Sequence, residues 1–433
     1  MRMWWQDLTQ RERRTMTACF GGWALDAFDV QIYSFVIPTL IATWGMTQVQ
    51  AGYVGTVALM FSAMGGWIAG ALSDRFGRVR TLQITVVWFA VFTFLSGFAT
   101  DYWHLLVLRS LQGLGFGGEW AAGAVLISEV IRPTFRGRAA GTVHSGFAVG
   151  WAGAALLFTL LFSILPQEQA WRVMFWIGVL PALLVIFIRR YVTESEVFEA
   201  VARARSATDH RPGMRQVVRI FHRDLLRTTV LSSVFAVGLQ GGYYAVVTWL
   251  PTYLKTQKGL SVLGTGSYLA VIIFGAFCGF LAGAHLADWI GRRRTFLLFA
   301  VLSTIVVCLY TLAPIDNALM LVLGFPLGFC ANAMFAPTGA YFAELFPTEV
   351  RGTGQGFCYN VGRGIGALFP AFVGLLSTTL PLGTAIGLYT AGAYGLAILA
   401  LLFLPETCGR DITQATPSAK DELPPLPAAA PSA

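Results

Sequence analysis

The chain has 433 residues, of which 56% are hydrophobic and only 12% charged, and its mean hydropathy is +0.64. Soluble domains average about 25% charged residues, so this composition excludes a water-soluble globular protein and describes one that crosses a membrane many times. The net charge of +8 is no sign of nucleic acid, because the basic residues gather in loops on one side of the predicted spans.

The segment Met1–Thr15 is polar and Arg-bearing, with no apolar core and cleavage site, so a removable signal peptide is not expected. Windows of about 20 apolar residues give twelve predicted spans, centred near Asp29, Met60, Ala90, Leu114, Gly153, Gly178, Gly238, Phe274, Leu302, Phe329, Ile365 and Tyr394. A polar stretch divides them six and six. The predicted organisation is an N-terminal six-helix bundle (1–190), a linker (191–225), a C-terminal six-helix bundle (226–409) and a disordered tail (410–433) ending PPLPAAAPSA.

Arg109 and Arg363 fall inside spans, and Arg172, Lys255 and Lys258 fall in the loops after spans 5 and 7. All other Lys and Arg residues lie on the opposite side, with both termini and the linker. The positive-inside rule therefore puts the termini and linker in the cytoplasm. Six scattered cysteines show no CxxC and five histidines no HExxH, so no metal, disulfide or cofactor is expected.

Span 1 contains GWALDAFDVQIYSF, in which Asp26 and Asp29 stand three residues apart and share a helix face. An ionised Asp near mid-bilayer costs about 2.5–3.5 kcal/mol. Mutual repulsion and burial both favour protonation, so the pair is a candidate for proton coupling; a neutralised pair bonded to Arg109 or to backbone is the structural alternative. Span 4 carries RSLQGLGFGGEW. Arg109 cannot lose its proton and must hold an anion, either an Asp of span 1 or a bound carboxylate, and Gln112 shares its face. Glu119 follows a Gly pair and is read as a second proton site or a gate residue.

Span 7 offers Gln240, Tyr243 and Tyr244 beside Gly241-Gly242, a polar-aromatic patch that lines a site or packs as core. In span 11, GQGFCYNVGRGIG places Arg363 near mid-depth with no acidic residue in the second half's spans to neutralise it. An anionic substrate would complete the pair, with Tyr359 and Asn360 as co-ligands one turn away.

The loops disclose a repeat. GALSDRFGRVR after span 2 and AHLADWIGRRR after span 8 share D-x-x-G-R-x-R, with Asp74 and Asp288 separated by 214 residues. After spans 4 and 10, Glu129 precedes Arg136-Gly137 as Glu344 precedes Arg351-Gly352, at an offset of 215 residues. Two motif pairs with nearly one offset mean a duplicated six-helix unit. In each copy the Asp is read as capping a helix end while the Gly permits a sharp turn.

These motifs resemble the major facilitator superfamily over residues 15–410. The resemblance implies an all-α membrane protein of twelve transmembrane helices, arranged as two pseudo-symmetric bundles around a cavity that opens alternately to each side. It further implies a cytoplasmic gate tying the bundles together, mapped here to Asp74, Arg78, Glu129 and Arg136 and to Asp288, Arg292, Glu344 and Arg351. D-A-F-D in span 1, GGEW in span 4 and RGTGQGFCYNVGR in span 11 are similar to the bacterial metabolite:proton symporters, in the sialate/monocarboxylate and aromatic-acid branches. Ala27 departs from the Gly of the aromatic-acid branch. Span 5 reads GTVHSGFAVGWAGA, without the proline of the drug exporters' signature, which favours uptake.

The implied function is proton-coupled uptake of a small organic anion by alternating access, in a multi-pass protein of the bacterial inner membrane that acts as a monomer. The implied partners are the organic acid, protons and the lipid bilayer, with no nucleic acid. Another metabolite (a dicarboxylate, sugar or betaine-like zwitterion) or export by the same fold stays open. No nucleophile–base or metal constellation suggests an enzyme.

Overall fold

The computed structural model describes residues 4–132, 136–194, 218–347 and 350–408, which form helices and short turns with no strand among them. The first half comprises α1 (Gln10–Trp44), α2 (Gln48–Phe76), α3 (Arg78–Ser96), α4 (Tyr102–Val130), α5 (Arg136–Ile164), α6 (Gln167–Ile177) and α7 (Pro181–Tyr191). The second comprises α8 (Arg223–Thr252), α9 (Val262–Trp289), α10 (Arg292–Leu312), α11 (Asn317–Ala333), α12 (Thr338–Leu345), α13 (Arg351–Gly366), α14 (Leu368–Leu376) and α15 (Leu382–Phe403). Most of the expected linker, and the tail from residue 409 onward, lie outside the described residues.

Among the described residues, nine helices are long and apolar enough to cross a membrane. The sixth and eleventh expected spans are each broken in two. Pro181 has no N–H and restricts Leu180, so α6 passes into α7 through turns with three-residue hydrogen bonds, such as Leu180 N–H to Ile177 O at 3.0 Å. Pro370, in the first turn of α14, likewise lacks the N–H that would bond back to Gly366, and the helix breaks at Ala367.

Helix starts follow local chemistry. Thr9 and Glu12 form a capping box on α1, and Thr47 and Gln50 form one on α2. Between them Gly45 (φ 63°) ends α1 in the left-handed conformation. Asp101, Ser261 and Asp316 accept first-turn N–H groups of α4, α9 and α11. Asp101, outside the spans, is held below the usual carboxylate range chiefly by the His104 N–H.

The repeated loop motif has one backbone solution in both halves. Gly77 (φ 101°, ψ 157°) and Gly291 (φ 105°, ψ 155°) occupy a region essentially closed to other residues. The residues before them are not N-caps: Asp288 lies in the last turn of α9, and the backbone of Asp74 in that of α2. The following helices are capped instead by two glutamates outside the sequence expectations. Glu194 accepts the N–H groups of Arg78 (3.1 Å) and Val79 (3.1 Å), and Glu406 accepts that of Arg292 (2.8 Å). Burial works against the Glu406 charge, but N–H groups of Arg293, Cys408, Thr407 and Arg294 hold its carboxyl below the usual range.

The halves pack as two bundles. Within the first, α1 packs on α5 and α2 on α4; within the second, α9 packs on α11 and α8 on α13 and α15. Glycines set the closest approaches: a Cβ on Gly113 or Gly117 would overlap carbonyls of Ala58 and Ser62 on α2, and one on Gly275 or Gly279 those of Phe325 and Phe329 on α11. The bundles meet where α5 packs on α9, α2 on α13 and α14, and α1 on α8.

That seam is tight at one end. At the side away from the termini, a Cβ on Gly52 would lie 2.6 Å from Pro370 O, and one on Gly374 2.6 Å from Gln48 O. The Ala371 N–H, freed by the helix break, donates to Thr56 Oγ1 across the seam at 3.2 Å. At the terminal side, a Cβ on Gly70 or Gly356 would meet nothing within 4 Å.

Two substitutions separate backbone demand from helix propensity. Gly291→Ala forces a side chain into φ 105° and to within 2.5 Å of Glu406 Oε2, and is expected to cost about 1–3 kcal/mol. Gly392→Ala, in the interior of α15 with nothing near its Cβ, is expected to leave stability unchanged or raise it by up to about 1 kcal/mol. Thermal unfolding of the two variants in detergent checks both.

Candidate functional site

Near mid-depth the two bundles enclose a cavity of about 60 Å3, room for about two waters. From the first bundle come Trp23 on α1, Phe116 on α4, and His144 and Phe147 on α5; from the second, Tyr243 on α8, Phe280 on α9, Phe335 in the turn after α11, and Tyr359 and Arg363 on α13. Aromatic rings meet across the seam: Phe147 and Tyr243 have centroids 6.2 Å apart and His144 and Phe280 6.4 Å, while Trp23 sits edge-on to His144 at 5.7 Å. The wall is an aromatic box with few polar groups.

Arg363 is the one residue with a fixed charge among the described residues lining this cavity. It is 2% exposed. Its Nη1 donates to Ser62 Oγ on α2 of the other bundle at 3.0 Å, and its guanidinium lies 5.3 Å from the Phe116 ring and 5.2 Å from the Tyr359 ring. Tyr244 and Tyr359 also interact with it, and so, across the seam, does the charge of Asp26. Tyr359 and Tyr244 of its own bundle are the stronger polar influences on Arg363, and Asp26 of the first bundle is a lesser one.

The two aspartates of α1 have different surroundings, although both are fully buried. Asp29 Oδ1 accepts the Thr93 hydroxyl and Oδ2 the Gln112 amide, and Oδ2 lies 3.5 Å from Arg109 Nη1. The Arg109 guanidinium is further covered by Tyr33 (5.5 Å) and Phe175 (5.8 Å). All of these lie in the first bundle. The anion expected for Arg109 is thus Asp29, and Gln112, expected among substrate ligands, donates to that same carboxylate. Asp26, one turn earlier, acts on Arg363.

The other expected ligands separate into layers. Tyr243, Tyr244 and Tyr359 line the cavity. Gln240 stands behind them, donating to Tyr359 O at 2.9 Å and accepting from the Tyr244 hydroxyl at 3.1 Å. Asn360 donates to Gly356 O of its own helix at 3.0 Å and packs under Gly66 rather than lining the cavity. Trp23, His144, Phe147, Phe280, Asn332 and Phe335 were not expected. Aromatic residues are so common here that their sequence pattern gives no contrast, whereas His144 and Asn332, isolated polar groups in apolar spans, were the available signal.

Of the expected gate, the second copy is well described. Asp288 pairs with Arg292, whose Nη2 lies 3.5 Å from Glu344 Oε1; Glu344 also accepts the Thr407 hydroxyl at 2.6 Å, and Arg351 Nε donates to Ala343 O at 2.9 Å. These contacts lie within the second bundle, not across the seam. In the first copy Arg78 donates to Ser73 O at 2.9 Å. The side chains of Asp74, Glu119, Glu129 and Arg136 lie outside the described residues.

Two helix bundles around a central polar-aromatic cavity, and a loop motif repeated in both, are matched by comparison with known proteins. Residues 19–370 and 274–426 match the Major Facilitator Superfamily. The chain belongs to that superfamily. It is a membrane transporter and not an enzyme. A probable 4-methylmuconolactone transporter of Cupriavidus pinatubonensis is 48% identical over 409 residues, 94% of this chain and 93% of that protein. A cis,cis-muconate transport protein of Acinetobacter baylyi is 29% identical over 385 residues, 88% and 92% of the two chains. The proton:xylose symporter of Escherichia coli, 18% identical, shares the fold with a TM-score of 0.72 over 93% of this chain and 98% of its own.

The Asp29–Arg109 pair yields a test of its structural weight. Removing one partner leaves an uncompensated buried charge, so Asp29→Ala or Arg109→Ala is expected to cost about 3–5 kcal/mol. The double variant is expected to lose less than the sum of the two. A double-mutant cycle of thermal unfolding in detergent measures the coupling.

Proposed function

We propose that this transporter imports a small organic acid together with a proton, binding the acid's carboxylate at Arg363 and the proton at Asp26. The observation that carries the reading is that Arg363, in the second bundle, lines the cavity and donates to Ser62 of the first bundle, with Asp26 a lesser influence on it from that same bundle. An ionised Asp26 competes with a substrate carboxylate for one guanidinium. A proton on Asp26 removes that competitor, so proton and acid favour one another's binding, which is the linkage a symporter needs. Asp29, with Thr93, Gln112 and Arg109 around it, takes the structural role.

Names of the relatives support the substrate class: 4-methylmuconolactone and cis,cis-muconate are small unsaturated organic acids or their derivatives. The aromatic box suits such flat bodies, and a single fixed cation suits one carboxylate at a time. The distribution of Lys and Arg supports cytoplasmic termini in a bacterial inner membrane. One chain contains both bundles and the whole cavity, so the monomer is the working unit.

Reconstitution in liposomes with an internal pH dye tests this. Adding muconate or other small unsaturated acids is expected to acidify the interior. Arg363→Ala is expected to lose acid binding and uptake by about ten- to a hundredfold, as for loss of a charged hydrogen-bonding partner. Asp26→Asn is expected to retain acid binding and exchange while losing proton-driven accumulation. Acid entry without proton movement would remove the coupling claim, and full activity of Arg363→Ala would remove the anchor.

A further inference from the structure

A second polar group in the cavity is left unused by that reading. Asn332, on α11, is 1% exposed and lines the cavity. Its Nδ2 donates to Gly328 O, one turn earlier on the same helix, at 2.8 Å. A carbonyl can only accept, so the amide nitrogen is the atom turned to Gly328 and the oxygen is the atom left over. That Oδ1 is buried and has no hydrogen-bond partner.

A buried acceptor without a donor is costly. Asn is an unusual choice for a position flanked by apolar cavity residues, when Leu would pack as well without any polar demand. Arg363 is engaged with Ser62, Tyr359 and Tyr244, and the other buried donors that line the cavity, Trp23 Nε1 and Tyr243 Oη, make no hydrogen bond to Asn332. A donor on a molecule in the cavity would satisfy Asn332.

We infer that Asn332 is a specificity-determining residue that accepts a hydrogen bond from a donor group, such as a hydroxyl, on the substrate. The inference rests on the organic-acid reading above and narrows it: among flat acids with a carboxylate for Arg363, the site prefers those that also carry an O–H for Asn332, a group that ionised muconate and 4-methylmuconolactone lack. A site that offers a fixed buried acceptor rejects analogues lacking the donor far more strongly than an apolar pocket does, because the analogue leaves Oδ1 unsatisfied. An ether or ester oxygen at the same place brings no proton and gains nothing.

The test is binding to the purified full-length protein, read by tryptophan fluorescence, with benzoate, 4-hydroxybenzoate and 4-methoxybenzoate, and with the cinnamate analogues of the same three for a longer body. In one series or the other, the hydroxylated acid is expected to bind about tenfold tighter than the parent and the methoxy acid no tighter than the parent. Asn332→Leu and Asn332→Ala are expected to bring all three acids of that series within about twofold while still binding the unsubstituted acid, which shows that the variants are folded. Arg363→Ala is expected to weaken all three alike. Equal affinities in the parent protein, or a hydroxyl preference that survives both Asn332 variants, would overturn the role of Asn332 while leaving the carboxylate anchor in place. Failure of every acid to bind would overturn both readings together.

Discussion

A guanidinium inside a membrane protein cannot shed its charge, so each one must be given a counter-charge, and where that counter-charge comes from decides what the residue does. Among the described residues this chain buries two. Arg109 is balanced by Asp29 within its own bundle, with Gln112 and Thr93 completing the carboxylate's hydrogen bonds. That pair is internal to the first bundle. Arg363 instead reaches across the seam, where its Nη1 donates to the Ser62 hydroxyl and Asp26 is a lesser influence. Its environment must change whenever the bundles shift, and a ligand at Arg363 therefore bears on the relative energies of the two states.

The same division between rigid bundle and soft seam runs through the packing. Within bundles, glycines on α4 and α9 bring backbones together so closely that a methyl group has no room, and such contacts resist rearrangement. Across the seam at the distal end, the described contacts include the Gly52–Pro370, Gly374–Gln48 and Gly266–Thr159 approaches and one hydrogen bond from Ala371 N–H to Thr56. The break between α13 and α14 makes that bond possible, since it releases an N–H that a continuous helix would have kept for itself.

Much of this was legible in the sequence, for reasons that are physical. Span hydropathy and the offset between the two D-x-x-G-R-x-R loops report local chemistry repeated along the chain, and the matching φ angles of Gly77 and Gly291 are its backbone form. Arg363 at mid-depth was visible because a lone charge in an apolar span stands out. The division of labour between Asp26 and Asp29 was not visible, because their spacing gives them one helix face while their partners come from different bundles. Glu194 and Glu406 follow the last helix of each half. Their near-constant offset was the signal, but their role depends on the chain returning to the start of α3 or α10, which spacing alone does not state. Helix breaks were missed because apolar composition runs unchanged through Pro181 and Pro370.

The size of the cavity sets the last constraint. At about 60 Å3 it is well below the roughly 300–1,000 Å3 of small-molecule sites, so an organic acid enters only if the bundles part further. The distal contacts just described include one neutral hydrogen bond, about 1 kcal/mol net, and van der Waals approaches without ion pairs among the described residues. Breaking a buried ion pair would instead cost about 3–5 kcal/mol. A seam closed by the weaker kind of contact opens at an energy that binding one carboxylate to a buried guanidinium is able to offset, about 1.5–3 kcal/mol for a charged hydrogen bond. The Asp29–Arg109 ion pair thus lies inside one bundle, whereas the distal contacts named above between the bundles are neutral.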